Sequence, residues 1–156
     1  MKTIEQFNEM IQTLPVLLSK LQSSPTIDRE NLQGIPICGI YVFYENQEPI
    51  YVGRSDRLKQ RLLEHGQPSS VPNSATFAFN LAKDKAETKG FDNPVFTRAT
   101  VQTIPEHRDL FLEAKRRVAA MKLRVVEVVG SVDQTVFEVY AALALKTTRY
   151  NSFENH

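Results

Sequence analysis

The stretch GIYVFYENQEPIYVG, residues 39–53, decides the fold, because it holds two short β-type runs on either side of a polar turn. Both runs are rich in β-branched and aromatic residues, which predicts a hairpin. A turn centred on Asn46 places Tyr41 opposite Tyr51 in the antiparallel pair, with both side chains on one face. The hairpin alone leaves two interpretations of this pair open: packing between aromatic rings, or two phenols held in place for chemistry.

The composition is that of an ordinary globular domain. The chain has 156 residues, of which 42% are hydrophobic and 24% charged, enough for one domain with a buried core. No apolar run approaches the roughly 18 residues of a membrane span, and the N-terminal MKTIEQFNEM lacks an apolar signal-peptide core. We therefore expect a cytoplasmic protein without a membrane partner. The single cysteine, Cys38, excludes an intrachain disulfide framework and a cysteine cluster for structural zinc.

The charge is small in total but uneven along the chain. A net charge of +1 argues against binding to nucleic acid through bulk electrostatics. Residues 1–50 hold three Lys or Arg and six Asp or Glu, whereas residues 51–156 hold sixteen and twelve. Two basic runs account for most of the difference, one from Arg54 to Arg61 and one from Arg108 to Arg124. A solvated helix face is the ordinary explanation of such runs.

The rest of the chain is mainly helical in pattern. Apolar residues at spacings of three and four predict an amphipathic helix over residues 1–24, with a kink or break near residue 14 caused by Pro15. The expected fold is a small α/β (α+β) domain around a short antiparallel or mixed three-stranded sheet flanked by helices. Further helices are predicted at residues 56–65, 74–87, 108–121 and 131–146, and a third strand at residues 123–129.

The helix predicted over residues 56–65 carries a polar stripe beside an apolar one. Arg57, Arg61 and His65 are spaced four residues apart and therefore share one face. A short connection from the second β run should bring this face near the open end of the hairpin. A guanidinium and an imidazole beside two phenols suit an anionic group such as phosphate. Arginine stripes are also common on solvated helices, so the stripe by itself is only suggestive.

The segment VFEVYAALAL, residues 136–145, has Glu138 as its single charge. Because its other residues are apolar on all sides, this helix is predicted to be buried on most sides. A carboxylate in such surroundings needs a cation, either an arginine or a metal ion. A structural Glu–Arg pair and a metal-binding or catalytic carboxylate are the two interpretations. The predicted core face consists of Val136, Val139, Tyr140 and Leu143.

Together these features resemble the GIY-YIG nuclease family. The resemblance covers about residues 37–151 and leaves out the N-terminal helix. The second motif has YVG in place of YIG, and the spacer is larger than in the smallest family members. The implied organisation is an N-terminal extension and linker at residues 1–34, then a nuclease-like domain at residues 35–156 with an insert at about 66–122. The matching residues are Gly39-Ile40-Tyr41, Tyr51-Val52-Gly53, Arg61, His65, Glu138 and Tyr150-Asn151.

The resemblance implies a metal-dependent endonuclease that hydrolyses phosphodiester bonds in DNA. Tyr41 would orient or deprotonate the attacking water, and Tyr51 would support it and contact the scissile phosphate. Arg61 would stabilise the charge that builds on the phosphate, and His65 would assist Tyr41 or the water by hydrogen bonding. A free phenol has a pKa of about 10, so whether Tyr41 removes the proton or only orients the water stays open.

The resemblance also implies a single divalent cation, Mg²⁺ or Mn²⁺. Glu138 would be its one protein ligand, with waters in the other positions, which suits the reluctance of magnesium to lose water. Asn151 would brace the site from the C-terminal side. Phosphodiester hydrolysis needs a positioned water, neutralised phosphate oxygens and help for the departing oxygen, and this set of residues can supply them.

DNA is the expected partner, and a homodimer is left open. A nucleic-acid-binding module on the same scaffold, with weak or no catalysis, is the first alternative. A structural domain whose tyrosines and glutamate are packing features is the second. The residues expected to follow the phosphates are Arg54, Arg57, Lys59, Lys115, Arg116 and Arg117.

Overall fold

The computed structural model describes residues 2–151 and residue 153. Over these residues the protein has an α+β fold, a three-stranded antiparallel sheet in the order β2-β1-β3 packed with about six helices, which confirms the predicted fold class. Among the described residues, no helix has both the length and the apolar character that a membrane crossing requires. The elements are α1 (Thr3–Ser23), β1 (Gly39–Glu45), β2 (Glu48–Ser55), α2 (Leu58–Gly66), α3 (Thr76–Lys89), α4 (Thr100–Thr103), α5 (Pro105–Ala119), β3 (Lys122–Glu127) and α6 (Ser131–Leu145).

The chain folds into two compact units. Met1–Leu58 and Lys122–His156 make up the first, here called the sheet unit, and Lys59–Met121 makes up the second, the helical unit. The sheet unit contains α1, the three strands and α6, whereas the helical unit contains most of α2 and all of α3, α4 and α5. The sheet unit is therefore assembled from two separate segments of the chain, while the helical unit is continuous.

The hairpin forms where the sequence predicts it, but in a different register. Tyr41 pairs with Gly53 and Phe43 pairs with Tyr51, so the prediction that Tyr41 lies opposite Tyr51 was wrong. The turn contributes part of this difference, because it is centred between two residues rather than on Asn46. An irregularity just after Phe43 contributes the rest. The total offset is two residues, and since side chains alternate with a period of two, both tyrosines stay on one face.

The turn itself has the backbone that a tight hairpin needs. Asn46 and Gln47 both have positive φ, at 53° and 69°. Two consecutive residues of this kind match the twist of the flanking strands. Asn tolerates this conformation better than most residues, so it is a local signal that the sequence displays.

One face of the sheet forms the core of the sheet unit. The buried side chains of β1 and β2 on that face pack against α1 and α6, and the other face carries Tyr41, Phe43 and Tyr51. β1 is the central strand, since it pairs with β3 as well as with β2. The core residues from the strands are Ile40, Val42, Tyr44 and Val52, and those from the helices are Leu14, Leu21, Phe137, Ala141 and Ala142.

Helix α1 runs through Pro15 without the predicted break. Proline removes the donor for the carbonyl of the residue four positions earlier, which is Ile11. Ile11 is 42% exposed, so that carbonyl is on a part of the helix that water can reach. The helix therefore continues to Ser23 and delivers Leu14 and Leu21 to the core.

Helix α6 turns only part of the predicted face to the core, since Val136 and Tyr140 pack against it. Val139 and Leu143 were expected to be core residues but are 39% and 65% exposed. Phe137, Glu138 and Ala141 are buried instead. Because the helix is apolar on nearly every side, its periodicity does not determine which side packs. The face that carries the carboxylate is the one that meets the sheet.

The helical unit has a core of its own, built largely from α3 and α5. The ring centroids of Phe79 and Phe96 are 5.3 Å apart, and those of Phe96 and His107 are 4.9 Å apart. The imidazole of His107 is within 2.7 Å of both Thr100 Oγ1 and the Phe91 carbonyl oxygen. This histidine is therefore satisfied by structural contacts within the unit.

Candidate functional site

Three aromatic side chains lie together on the sheet face opposite α1 and α6. The ring centroid of Tyr41 is 5.7 Å from that of Phe43 and 6.4 Å from that of Tyr51. All three side chains are buried, with Tyr41 at 1% and Tyr51 at 7% exposure. Ring packing accounts for the burial of the cluster. Tyr41 and Tyr51 differ from Phe43 in carrying a hydroxyl group, which is the part of each side chain that could take part in chemistry.

Gly53 makes room for the phenol of Tyr41. A Cβ at position 53 would lie 2.1 Å from Cζ of Tyr41 and 2.2 Å from its hydroxyl oxygen. Side chains do not approach each other so closely, so only glycine fits beneath this ring. The glycine of the second motif thus fixes where the Tyr41 hydroxyl can lie.

Gly39 has a corresponding role at the start of β1. Its φ is 151°, and a Cβ there would lie 2.0 Å from the carbonyl oxygen of Val126 in β3. The absence of a side chain lets β3 approach β1 at this point. The two motifs therefore need glycine for different steric reasons. At Gly39 a side chain would collide with strand β3, and at Gly53 it would collide with the Tyr41 ring.

Glu138 forms an ion pair with Arg54. Arg54 Nε lies 3.2 Å from Glu138 Oε2, and the two side chains are 25% and 1% exposed. Burial raises the pKa of Glu138 to about 7, and the nearby charge of Arg54 opposes that shift. The Glu–Arg pair that the sequence left as one interpretation is thus present, and its partner is a residue expected to contact phosphate.

Asn151 ties the chain after α6 to the outer strand of the sheet. Its Oδ1 accepts a hydrogen bond of 3.0 Å from the Val52 N–H, and its Nδ2 donates to the Val52 carbonyl. Thr147 Oγ1 donates to the same Oδ1 at 3.0 Å. The amide therefore copies the pairing that a neighbouring strand would provide. Asn151 thus braces β2 through its backbone, and the role that the resemblance gives it at a catalytic site stays a prediction.

Gln134 is a supporting residue that the sequence interpretation missed. It is buried, and its Nε2 donates to Asp56 Oδ1 at 3.0 Å and to the Val128 carbonyl at 2.9 Å. These bonds connect the end of the hairpin to the start of α6. A signal was available, because Gln134 precedes Glu138 by four residues and so lies on the same helix face.

Arg61 and His65 belong to the helical unit, whereas both tyrosines, Glu138 and Asn151 belong to the sheet unit. Arg61 donates from Nη1 to the Ser74 carbonyl at 2.6 Å and from Nη2 to Thr76 Oγ1 at 3.2 Å. His65 is fully buried. Burial, together with the charge of Arg61, lowers the pKa of His65 well below its usual value. The imidazole is therefore neutral at pH 7.

The basic residues divide into exposed ones and a buried one. The side chain of Lys115 is buried, and its ammonium donates to the carbonyls of Pro68 and Ser70 and lies 4.3 Å from the centre of the Phe111 ring. Burial lowers the pKa of Lys115. Its charge is thus used inside the helical unit, which corrects the expectation of a phosphate contact. The residues on exposed positions are Arg57, Lys59, Arg116 and Arg117.

A metal ion could be held here only through few protein ligands. Within the described part of the chain, no three or more His, Cys, Asp or Glu side chains are grouped as a metal site. Mg²⁺ often binds through one or two carboxylates and substrate phosphates while keeping several waters. The Glu138 carboxylate fits that pattern as a hard oxygen ligand in a buried position, and Arg54 contacts the same carboxylate.

Neither a scan against models of protein families nor searches of curated proteins and of solved structures finds a match to this chain. The chemistry of the site is accordingly inferred from its own residues. Within the sheet unit these are two phenols on one sheet face, a buried carboxylate with a guanidinium beside it, and an amide that braces the outer strand.

Proposed function

We propose that the protein is a metal-dependent endonuclease of the GIY-YIG type, which hydrolyses phosphodiester bonds in DNA. One observation carries the proposal: two consecutive residues of β2 connect the candidate groups. Gly53 lies against the phenol of Tyr41, and Arg54 lies 3.2 Å from the carboxylate of Glu138. The phenol and the ion pair are thus each in contact with one of two neighbouring residues of the strand.

Each group in the sheet unit has a chemical task in this proposal. The hydroxyl of Tyr41 can hold a water by a hydrogen bond, and Tyr51 can contact the phosphate that the water attacks. The guanidinium of Arg54 can neutralise phosphate oxygens. A divalent cation on Glu138 would supply further positive charge to the phosphate and to the leaving oxygen. Because only the ionised carboxylate binds a cation, cation binding should strengthen as the pH rises through about 7.

The roles of Arg61 and His65 in the proposal rest on the sequence resemblance. Arg61 would stabilise the charge of the phosphate, as a guanidinium does well. His65 would act as a neutral hydrogen-bonding group, because its pKa is lowered by burial and by the charge of Arg61. It would not act as a general acid at pH 7.

A nucleic-acid-binding module without catalysis is the second candidate. The Arg54–Glu138 pair favours it, because an ion pair gives the buried carboxylate a structural reason to be present. In that case the exposed basic residues Arg57, Lys59 and Arg116 would bind phosphates, and the tyrosines would serve packing alone.

A cleavage assay separates the two candidates. The protein is incubated with supercoiled plasmid and with single-stranded DNA, with and without Mg²⁺, beside Glu138→Gln and Asp133→Asn. Asp133 is a matched control, since it is an exposed carboxylate on the same helix. We expect Mg²⁺-dependent cleavage that Glu138→Gln abolishes and Asp133→Asn retains. Cleavage that survives Glu138→Gln would remove Glu138 from the reaction. DNA binding without any cleavage would favour the second candidate.

A further inference from the structure

Arg54 and a divalent cation require the same carboxylate. The guanidinium lies 3.2 Å from Glu138 Oε2, and the Glu138 side chain is 1% exposed. A buried carboxylate is costly without a positive partner, so Arg54 should not leave unless another cation replaces it. The Arg54 side chain is 25% exposed and therefore has access to solvent and to a ligand there.

We propose that Arg54 exchanges between Glu138 and a phosphate of the substrate, so that the divalent cation and the nucleic acid bind cooperatively. This inference rests on the proposed function. When a cation binds Glu138, the guanidinium loses its partner, and a phosphate oxygen pair is the anion whose geometry it fits best. When nucleic acid binds first, its phosphate draws Arg54 away and opens the carboxylate to the cation.

The amide of Gln134 has partners of its own. Gln134 lies one turn earlier on the same face of α6, but its Nε2 donates to Asp56 and Val128. A cation that binds Glu138 must compete with the charged guanidinium of Arg54. This competition weakens cation binding by the free energy of the Arg54–Glu138 ion pair. By linkage, the same free energy appears as coupling between the binding of the cation and the binding of nucleic acid.

Mn²⁺ binding in the absence of DNA tests the competition directly. Free Mn²⁺ is measured by electron paramagnetic resonance at alkaline pH, where Glu138 is ionised, for the wild type, Arg54→Gln and Lys146→Gln. Lys146 is exposed and directly follows the end of α6, eight residues after Glu138. At the helical rise per residue this is about 12 Å, so Lys146→Gln removes the same charge without touching the pair. We expect Arg54→Gln to bind Mn²⁺ about tenfold more tightly than the wild type and Lys146→Gln to match the wild type.

A second measurement tests the cooperativity. Binding of a short DNA duplex is followed by fluorescence anisotropy with and without Ca²⁺. Ca²⁺ should raise the affinity of the wild type for DNA about tenfold and that of Arg54→Gln much less. Arg54→Lys, which keeps a charge but loses the planar fork, should lie between them and serves as the reporter if Arg54→Gln does not fold.

The outcomes distinguish this inference from the proposed function. If Arg54→Gln and the wild type bind Mn²⁺ equally while DNA cleavage remains dependent on Glu138, the exchange of Arg54 is overturned and the nuclease is not. If neither protein binds Mn²⁺ in a way that Glu138→Gln abolishes, the metal site and the exchange both fall.

Discussion

The phenol of Tyr41 lies over Gly53, so close that a Cβ at position 53 would be 2.1 Å from Cζ of the ring. The two residues are also paired across the hairpin. The ring is buried, and it has no space to move away without disturbing Phe43, whose centroid is 5.7 Å away. The glycine thus determines the position of the hydroxyl to which the proposed reaction assigns the water.

Gly53→Ala should therefore destabilise the fold. The added methyl group forces the Tyr41 ring or the strand to shift, and overpacking of this kind typically costs about 1–3 kcal/mol. Urea unfolding measures the loss. The double variant Gly53→Ala with Tyr41→Ala is the control, since removal of the ring leaves space for the methyl group. Strictly additive effects in this cycle would contradict the steric explanation.

The Tyr41 hydroxyl should matter for cleavage and that of Tyr44 should not. The two tyrosines lie in the same strand on opposite faces of the sheet, and Tyr44 packs in the hydrophobic core. Tyr41→Phe should reduce the single-turnover rate of plasmid cleavage by about 10²-fold or more if the hydroxyl takes part in proton transfer. Equal rates for Tyr41→Phe and Tyr44→Phe would remove the hydroxyl from the mechanism.

Asn151→Ala should loosen the outer strand. The substitution removes both hydrogen bonds to the backbone of Val52 and leaves a buried N–H and carbonyl without that partner, at a cost of about 1–3 kcal/mol. Hydrogen exchange should show faster exchange of the Val52 amide than of the Val42 amide in β1. Thr147→Val, which removes only one bond to the same Asn151 oxygen, should have a smaller effect. If the Val52 amide keeps its protection in Asn151→Ala, the bracing role is wrong.

Glu138 should make stability fall as the pH rises. The pKa of Glu138 is raised from 4.5 to about 7 in the folded protein, so its contribution is fully present below pH 4.5 and is lost as the pH passes 7. A shift of this size corresponds to about 3 kcal/mol. Urea unfolding of the wild type and Glu138→Gln at both ends of this range gives the difference.

The comparison with Glu138→Gln isolates this effect from other titrations. His65 acts in the opposite direction, because its lowered pKa penalises the folded state below pH 6.5. That contribution is common to both proteins and cancels. A free-energy difference that does not change with pH would show that the carboxylate is not buried as the structure has it.

Substitution of Lys115 should lower stability, whereas substitution of its neighbour Arg116 should weaken DNA binding. Lys115→Met removes the ammonium that donates to two carbonyls, so it should lower the free energy of unfolding by about 1–3 kcal/mol. Arg116→Gln, at an exposed position, should change stability by less than about 0.5 kcal/mol. The salt slope of DNA binding should instead decrease by about one in Arg116→Gln, if that residue contacts a phosphate. If Arg116→Gln lowered stability and Lys115→Met did not, the contact of Lys115 with the loop carbonyls of Pro68 and Ser70 would be contradicted.

The fold could be predicted where its signals are local. The β-branched and aromatic residues of β1, the polar turn and the helical segments of α3 and α6 each lie within a short window, and the structure confirms these elements. The hairpin register depends on the positive φ of both Asn46 and Gln47, of which only Asn46 is a signal in the sequence. It also depends on an irregularity after Phe43, for which the sequence carries no signal. The turn and the irregularity each shift the register by one residue, so Tyr41 pairs with Gly53 instead of Tyr51.

The contacts of the candidate site were less accessible from the sequence. The need of Glu138 for a cation followed from its apolar surroundings, but its partner Arg54 lies in a distant strand and only the folded packing reveals it. Val139 and Leu143 were wrongly predicted to face the core, because an almost wholly apolar helix has no polar face to mark its exposed side. The burial of Lys115 likewise depends on carbonyls of a loop far away in the chain.

The division of the sheet unit into two segments has a consequence for synthesis on the ribosome. β1 pairs with β3, so the pairing of Tyr41 with Val125 cannot form until Val125 has been synthesised. The helical unit, in contrast, is complete once Met121 has been synthesised. Contacts between distant segments form slowly, and continuous units tend to fold as they emerge. In pulse-labelled refolding, amides of α3 and α5 should gain protection before those of β1. Until β3 has been synthesised, one edge of β1 has unpaired backbone groups that can pair with strands of other chains. We therefore expect the nascent protein to depend on chaperones most at this stage.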